Sequence, residues 1–235
     1  MAEAWESLFD KAMYCLDSRR EQAAPWMRWS LGGGTALTLQ LGHRLSRDID
    51  IFVNTLRAID LFTPRSNEAI RALTTDFYED MNYVKLWFGA QGEVDFIAGV
   101  PLTPTPCTEQ VVRGGQINLE TPEEIVVQKL MSRAATLKYQ DLFDVSAVTC
   151  AFPGLLERSS HVFGGQLPVL KARVQHLAGL DLSEARAKIN TLPGWGHLMG
   201  TETALVLDFL DRCTAVADDT PLCHAPMELQ RRTVG

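Results

Sequence analysis

A chain of 235 residues with 46% hydrophobic and 22% charged content can bury one sizeable core or two small lobes sharing a cleft, the composition of a globular protein. No apolar run approaches the roughly 20 residues of a membrane span, and residues 1–10 have neither a basic start nor an apolar signal core, so a cytoplasmic protein with no membrane partner is expected. The net charge of −7 argues against non-specific coating of nucleic acid, although an acidic cluster holding a hard metal ion would itself add to that count.

Taken in order, residues 3–22 carry Trp5, Leu8, Phe9, Ala12, Met13, Cys15 and Leu16 at helical spacing and predict an amphipathic first helix. A short apolar strand from Trp29 runs into Gly32-Gly33-Gly34. The following residues, 35–41, suit a helix or a strand, and helix is preferred because Thr35 can cap it. Residues 48–53 read as a strand with Ile49, Ile51 and Val53 on one face and Asp48 and Asp50 on the other. A crossing helix is expected around residues 68–77. Strands at 83–88 and 93–97 are separated by Gly89-Ala90-Gln91-Gly92, which has hairpin composition.

The segment 101–107, with three prolines, is the candidate lobe boundary. One short strand near residues 116–119 precedes the capping box Thr121-Pro122-Glu123-Glu124, which starts a helix at Pro122. Helices are further expected at 141–150, 167–176, 183–190 and 202–216, with a frayed tail at 228–235. The five cysteines, at 15, 107, 150, 213 and 223, are read as buried thiols. The loose group of Cys213, Cys223 and His224 lacks the spacing of a zinc site.

Asp48 and Asp50 project from one strand face, so their carboxylates can share or bridge divalent ions. Two metals about 4 Å apart activate an attacking oxygen and stabilise a leaving pyrophosphate. Asp95, polar between apolar neighbours on the strand after the hairpin, is the candidate third acid, with Glu93 as substitute. Taken alone, an Asp-x-Asp strand is equally a solvated edge or a calcium turn. The glycines of Gly32-Gly33-Gly34-Thr35 strengthen the catalytic reading, because they let backbone amides approach a polyphosphate at a helix start. Arg44 is the candidate phosphate cation, Ser46 a donor to a phosphate oxygen or a metal-bound water, and Tyr83 or Phe52 a candidate base-stacking ring. His43 is read as a packing or hydrogen-bonding residue. Lys129 and Arg133, four apart on one helix, form either a phosphate-binding strip or a solvated face with salt bridges to Asp141 or Glu124.

The run Gly33-Gly34-Thr35-Ala36-Leu37, then Leu41-Gly42-His43-Arg44 and Ser46-x-Asp48-Ile49-Asp50-Ile51-Phe52, closely resembles the AbiEii/AbiGii-type toxin family of nucleotidyltransferases, within the DNA polymerase β-like superfamily. Glu124, Lys129, Arg133, Asp141 and Asp144 resemble the helical pattern of that family, so the likeness covers roughly residues 28–150. Tyr139-Gln140 departs from it, standing where Arg or Lys is common. The resemblance implies an α+β fold: a polymerase β-like lobe (1–105) with a small mixed or antiparallel sheet flanked by helices, then a mainly helical lobe (106–235). It further implies that Lys129 contacts nucleotide phosphates, that Asp141 is required for catalysis, and that Ser46 is a target for inactivating phosphorylation.

The resulting expectation is a Mg2+- or Mn2+-dependent transfer of a nucleoside monophosphate from a triphosphate to a hydroxyl. Asp48, Asp50 and Asp95 would hold the metal, and Gly33, Gly34, Thr35, Arg44, Ser46, Lys129 and Arg133 the nucleotide. The resemblance implies a transfer RNA 3′ end as acceptor and the toxin role of a bacterial toxin–antitoxin pair, with a cognate antitoxin as partner. The alternatives are a protein or antibiotic acceptor, or a catalytically silent nucleotide-binding module.

Overall fold

The computed structural model describes residues 4–23 and 25–218; Cys223, His224 and the 228–235 tail lie outside them. Helix α1 (Ala4–Asp17) stops short of the expected residue 22 and is followed by the single turn α2 (Arg20–Ala23). Strand β1 (Trp29–Gly32) passes directly into α3 (Gly33–Leu41). This helix begins two residues earlier than expected, so Thr35 does not cap it. The Thr35 hydroxyl instead donates to the Asp48 carbonyl oxygen at 2.6 Å, which ties the helix to the following strand.

Strand β2 (Ile49–Val53) alternates as expected: Ile49, Ile51 and Val53 are buried, while Asp50 and Phe52 are half-buried on the other face. Helix α4 (Glu68–Leu73) is capped by the Asn67 side chain, which accepts from the Ala69 and Ile70 amides. It does not reach Phe77. Residues Phe77–Asp80 form β3 instead, whose alternate side chains face solvent on a sheet edge, so no apolar run marks it. Strands β4 (Tyr83–Trp87) and β5 (Glu93–Ala98) make the expected antiparallel hairpin.

Beyond the proline segment the chain rejoins the sheet with two strands, β6 (Cys107–Val112) and β7 (Gly115–Glu120), where one was expected. Four successive residues of β6, Thr108 to Val111, are exposed; such an edge strand carries no hydrophobic signal. The seven strands run in the order β3-β4-β5-β2-β1-β7-β6. Pairs β2/β5 and β1/β7 are parallel, and β1/β2, β3/β4, β4/β5 and β6/β7 are antiparallel. In this register Gly32 lies opposite Asp50, Asp50 opposite Asp95, and Asp95 opposite Lys85, one row across four central strands.

The rest is helical. Helix α5 (Pro122–Ser132) starts where the capping box placed it, with the Thr121 hydroxyl accepting from the Glu124 amide. It is followed by α6 (Tyr139–Ala151), α7 (Leu155–Arg158), α8 (Ser160–Phe163), α9 (Leu167–Ala178), α10 (Ser183–Ala187) and α11 (Glu202–Asp218). α1 packs on β2 and β5; α3 packs on β1, β2 and β7 and meets α5 and α6 at its other side. One hydrophobic cluster extends from Leu8 through Ile51 and Phe96 to Val126 and Phe209, so sheet and helices share a core. The expected α+β architecture is the observed one.

No described helix is long and apolar enough to cross a membrane. Burial pushes the thiols of Cys15 and Cys213 up to about 12. Cys107 is half-buried, and Cys150 is exposed, contrary to its reading as a buried thiol.

Candidate active site

The site begins at the turn between β1 and α3. Gly33 adopts φ +68°, and a Cβ placed there would lie 1.9 Å from Asp50 Oδ2. Only glycine lets the backbone pass that close over the carboxylate. A Cβ at Gly34 would lie 2.8 Å from Ser46 Oγ and 2.9 Å from Arg44 Nη2, so those two side chains crowd the next residue of the same turn. The N-terminus of α3 opens here, presenting amides and the positive end of the helix dipole.

Asp48 immediately precedes β2 and is exposed; its Oδ1 accepts from the Glu93 amide at 3.1 Å, and its carbonyl is held by Thr35. Burial pushes Asp50 above the usual carboxylate range and outweighs the nearby cations Arg133 and Lys129; Asp48 pushes in the same direction as burial. Burial, with Asp50 alongside, raises Asp95 to about 7. The two oxygens of Asp95 differ: Oδ2 lies 3.0 Å from Lys85 Nζ, whereas Oδ1 is buried without a hydrogen-bond partner. Lys85 also pairs with Glu93, which in turn accepts from Trp87 Nε1 at 2.8 Å.

Across the cleft, the helical residues form a buried charge network centred on Asp144. Arg44 donates to it twice, Nε at 2.6 Å to Oδ1 and Nη2 at 2.9 Å to Oδ2. Lys129 Nζ lies 2.6 Å from Asp144 Oδ2 and 3.0 Å from Asp141 Oδ1, and His43 Nε2 lies 2.8 Å from Asp144 Oδ1. Arg133 reaches Asp141 at 3.3 Å while its side chain stays 43% exposed. Burial alone would push Asp144 upward; Lys129 and Arg44 outweigh it and hold the group well below the usual range. Asp141 is lowered on the same balance, with Lys129 and Arg133 against burial. Neither acid is exposed; both are buried partners of Lys129.

The structure brings Gly33, Gly34, Arg44, Ser46, Asp48, Asp50, Asp95, Lys129 and Arg133 to the wall of one cleft of about 620 Å3. Thr35 and Asp141 do not reach that wall; both are buried behind it. Phe52 and Tyr83 line an adjoining hollow, together with Asp50 and Asp95. Sequence reasoning missed Lys85 as a wall residue and Asp144 as the centre of the network, while Lys138 stands on the wall beside Lys129 and Arg133. Lys85 was within reach, because a symmetric hairpin over 83–97 sets it opposite Asp95. Asp144 was not, since two of its partners lie 100 residues or more away.

The donors suit a hard divalent cation. Asp48 and Asp50 offer carboxylate oxygens, and the orphaned Asp95 Oδ1 lies across the register from Asp50. Among the described residues, no group of three or more His, Cys, Asp or Glu converges into a ready-made metal cage.

Among curated proteins none matches the sequence. Three solved structures are similar: the antibiotic-resistance factor ANT(2'')-Ia, with 15% identity over 73% of this chain and 99% of that one and a TM-score of 0.48; an antigenic nucleotidyltransferase-like protein from Paracoccidioides brasiliensis, with 15% identity over 80% and 96% and a TM-score of 0.37; and a tRNA-processing enzyme, with 12% identity over 87% and 60% and a TM-score of 0.39. The family described as nucleotidyl transferase AbiEii toxin, type IV toxin–antitoxin system, matches residues 16–149 and so takes in every residue of the cleft wall named above. The chain belongs to the AbiEii family of nucleotidyltransferase toxins.

Proposed function

We propose that this nucleotidyltransferase moves a nucleoside monophosphate from a triphosphate to the 3′ end of transfer RNA, using Mg2+ or Mn2+, and acts in the cytoplasm as the toxin of a toxin–antitoxin pair. The observation that carries the reading is the Gly33 turn lying directly over Asp50 in a cleft shared with Asp48 and Asp95. In this reading Asp48, Asp50 and Asp95 hold the metal, which when bound neutralises the triphosphate and stabilises the departing pyrophosphate. The Gly33 and Gly34 amides at the α3 N-terminus bind phosphate oxygens. Ser46 donates to them, and the exposed part of Arg133 supplies positive charge. Lys129 and Arg44 add charge at the wall while Asp144 and Asp141 fix their positions. Phe52 and Tyr83 present rings to the base.

Lys85, Lys129, Arg133 and Lys138 on the wall support an anionic acceptor such as RNA over a cationic antibiotic. Family membership supports the toxin role and a cognate antitoxin partner. The test incubates the purified protein with triphosphates labelled at the α-phosphate and a mixture of total RNA, protein and small-molecule acceptors. Label is expected in the transfer RNA fraction and lost when the 3′ ends are oxidised with periodate. Label confined to protein or small molecules would overturn the acceptor, and no label anywhere would overturn the activity.

A further inference from the structure

Residues beyond α9 lie outside the stretch matched by the AbiEii family, yet some of them stand on the cleft wall. After α10 the chain runs back along the loop that leads into β2. Thr191 forms an antiparallel bridge with Arg44, the Leu45 amide donates to the Asn190 carbonyl at 2.8 Å, and the Leu192 amide to the His43 carbonyl at 3.1 Å. Ile189 and Trp195 pack against Phe143, Ala147 and Leu198, with Trp195 meeting the His43 ring edge-to-face. On the α10 side, Arg186 Nε donates to the Tyr139 hydroxyl at 3.3 Å. Held at both ends, the segment presents Ala187, Lys188 and Asn190 to the cleft, all three exposed. A segment that only closed the core would need Ile189 and Trp195, but no cation facing the cleft.

The cations of the wall fall into two sets. Lys85, Lys129, Arg133 and Arg44 are each tied to an acid. Arg47, Lys138 and Lys188 are exposed, and among the described residues none of the three makes an ion pair. They come from the loop before β2, the start of α6 and the end of α10, so the fold gathers them and no local run of charge does. In a chain of net charge −7 they are not the surplus of a generally basic surface. Unpaired cations, with the amides of Gln140 and Asn190 on the same wall, suit a ligand that carries phosphates in series. The triphosphate is already provided for by the α3 N-terminus and Ser46.

We propose that Arg47, Lys138 and Lys188 form the acceptor side of the cleft, a clamp on the backbone phosphates of an RNA whose end is held toward Asp50 and Asp95. The choice of RNA rests on the transfer reading above. Such a clamp positions the strand and reads no sequence, and it gives the chain beyond the family match a part in substrate binding.

The experiment measures binding of labelled total transfer RNA to the full chain by fluorescence anisotropy, without triphosphate, over about 50 to 200 mM salt. Lys188→Gln and Arg47→Gln are each expected to weaken RNA binding about fivefold or more and to lower the slope of log affinity against log salt by about one. Lys188→Arg should keep both values, as should Arg71→Gln, which removes an exposed cation of α4 outside the cleft. Binding of each of the four nucleoside triphosphates, in non-hydrolysable form, should be alike in all of them. Wild type that binds no RNA, a Lys188→Gln protein that binds it as tightly as wild type, or equal weakening by Arg71→Gln would overturn the proposal. So would variants that weaken the triphosphate more than the RNA. RNA binding lost in the clamp variants, beside a wild type that transfers no label to RNA, would keep the clamp and strike the transfer reading instead.

Discussion

Replacing Gly33 by alanine separates two effects that a glycine can hide. Gly33 and Gly42 both lie at positive φ, +68° and +60°, so an alanine at either costs roughly 1–2 kcal/mol of left-handed strain. Nothing lies within 4 Å of a Cβ added at Gly42, whereas at Gly33 the same atom would meet three atoms of Asp50, the nearest at 1.9 Å. Restoring an ordinary contact of 3.4 Å requires the turn or the carboxylate to shift by roughly 1 Å or more. A displacement of that size at reacting groups costs about a hundredfold in rate. Gly42→Ala should therefore lower the unfolding midpoint and leave turnover within about threefold of wild type. Gly33→Ala should lose about a hundredfold or more in kcat at a similar or somewhat larger stability cost. Label transfer and chemical denaturation on both variants measure this. A Gly33→Ala enzyme within threefold of wild type, or two variants that lose activity alike, would refute the reasoning.

Two further changes test the buried charges. Glu120 is buried on β7, with Oε2 unpartnered and Oε1 accepting from Ser30 and Gln128; burial raises it from 4.5 to about 8. Because the unfolded chain releases this proton first, the penalty is absent below about pH 4.5 and complete above about pH 8. Glu120→Gln should thus gain stability over wild type as pH rises through that window, by up to the order of 5 kcal/mol, read from denaturation at pH 5 and pH 9; an equal difference at both would contradict it. Removing the centre of the charge network with Asp144→Ala leaves Lys129 and Arg44 without their main counter-charge. It should cost about 3–5 kcal/mol, and a midpoint within experimental scatter of wild type would contradict the network.

Much of the site was legible because its signals are local. The alternation of Ile49, Ile51 and Val53 against Asp48 and Asp50 follows from the period of a strand, and the glycine turn, the 83–97 hairpin and the Thr121 cap each occupy a few consecutive residues. What escaped depends on pairings distant in sequence. β7 joins the sheet parallel to β1, which brings Glu120 under Gly32, and no local pattern announces it. Edge strands β3 and β6 bury too little to alternate visibly. Thr35 has the composition of a helix cap, but the chain spends its hydroxyl on the Asp48 carbonyl because Gly32 and Gly33 already make the turn. Arg44 and Lys129 read as separate candidate phosphate cations, and it is the packing of α3 on α5 and α6 that brings both to Asp144.

The central claim is that Asp48 and Asp50 bind the metal through which nucleotide is transferred. The most direct measurement is label transfer from an α-labelled triphosphate by wild type and Asp50→Ala, each with Mg2+ and with excess chelator. Burial holds Asp50 above its ordinary range, so its removal should leave the unfolding midpoint unchanged or raised. Wild type is expected to transfer label with Mg2+ and stop with chelator, while the folded Asp50→Ala protein transfers none under either condition. Transfer that survives the chelator, or that Asp50→Ala retains, would contradict the account.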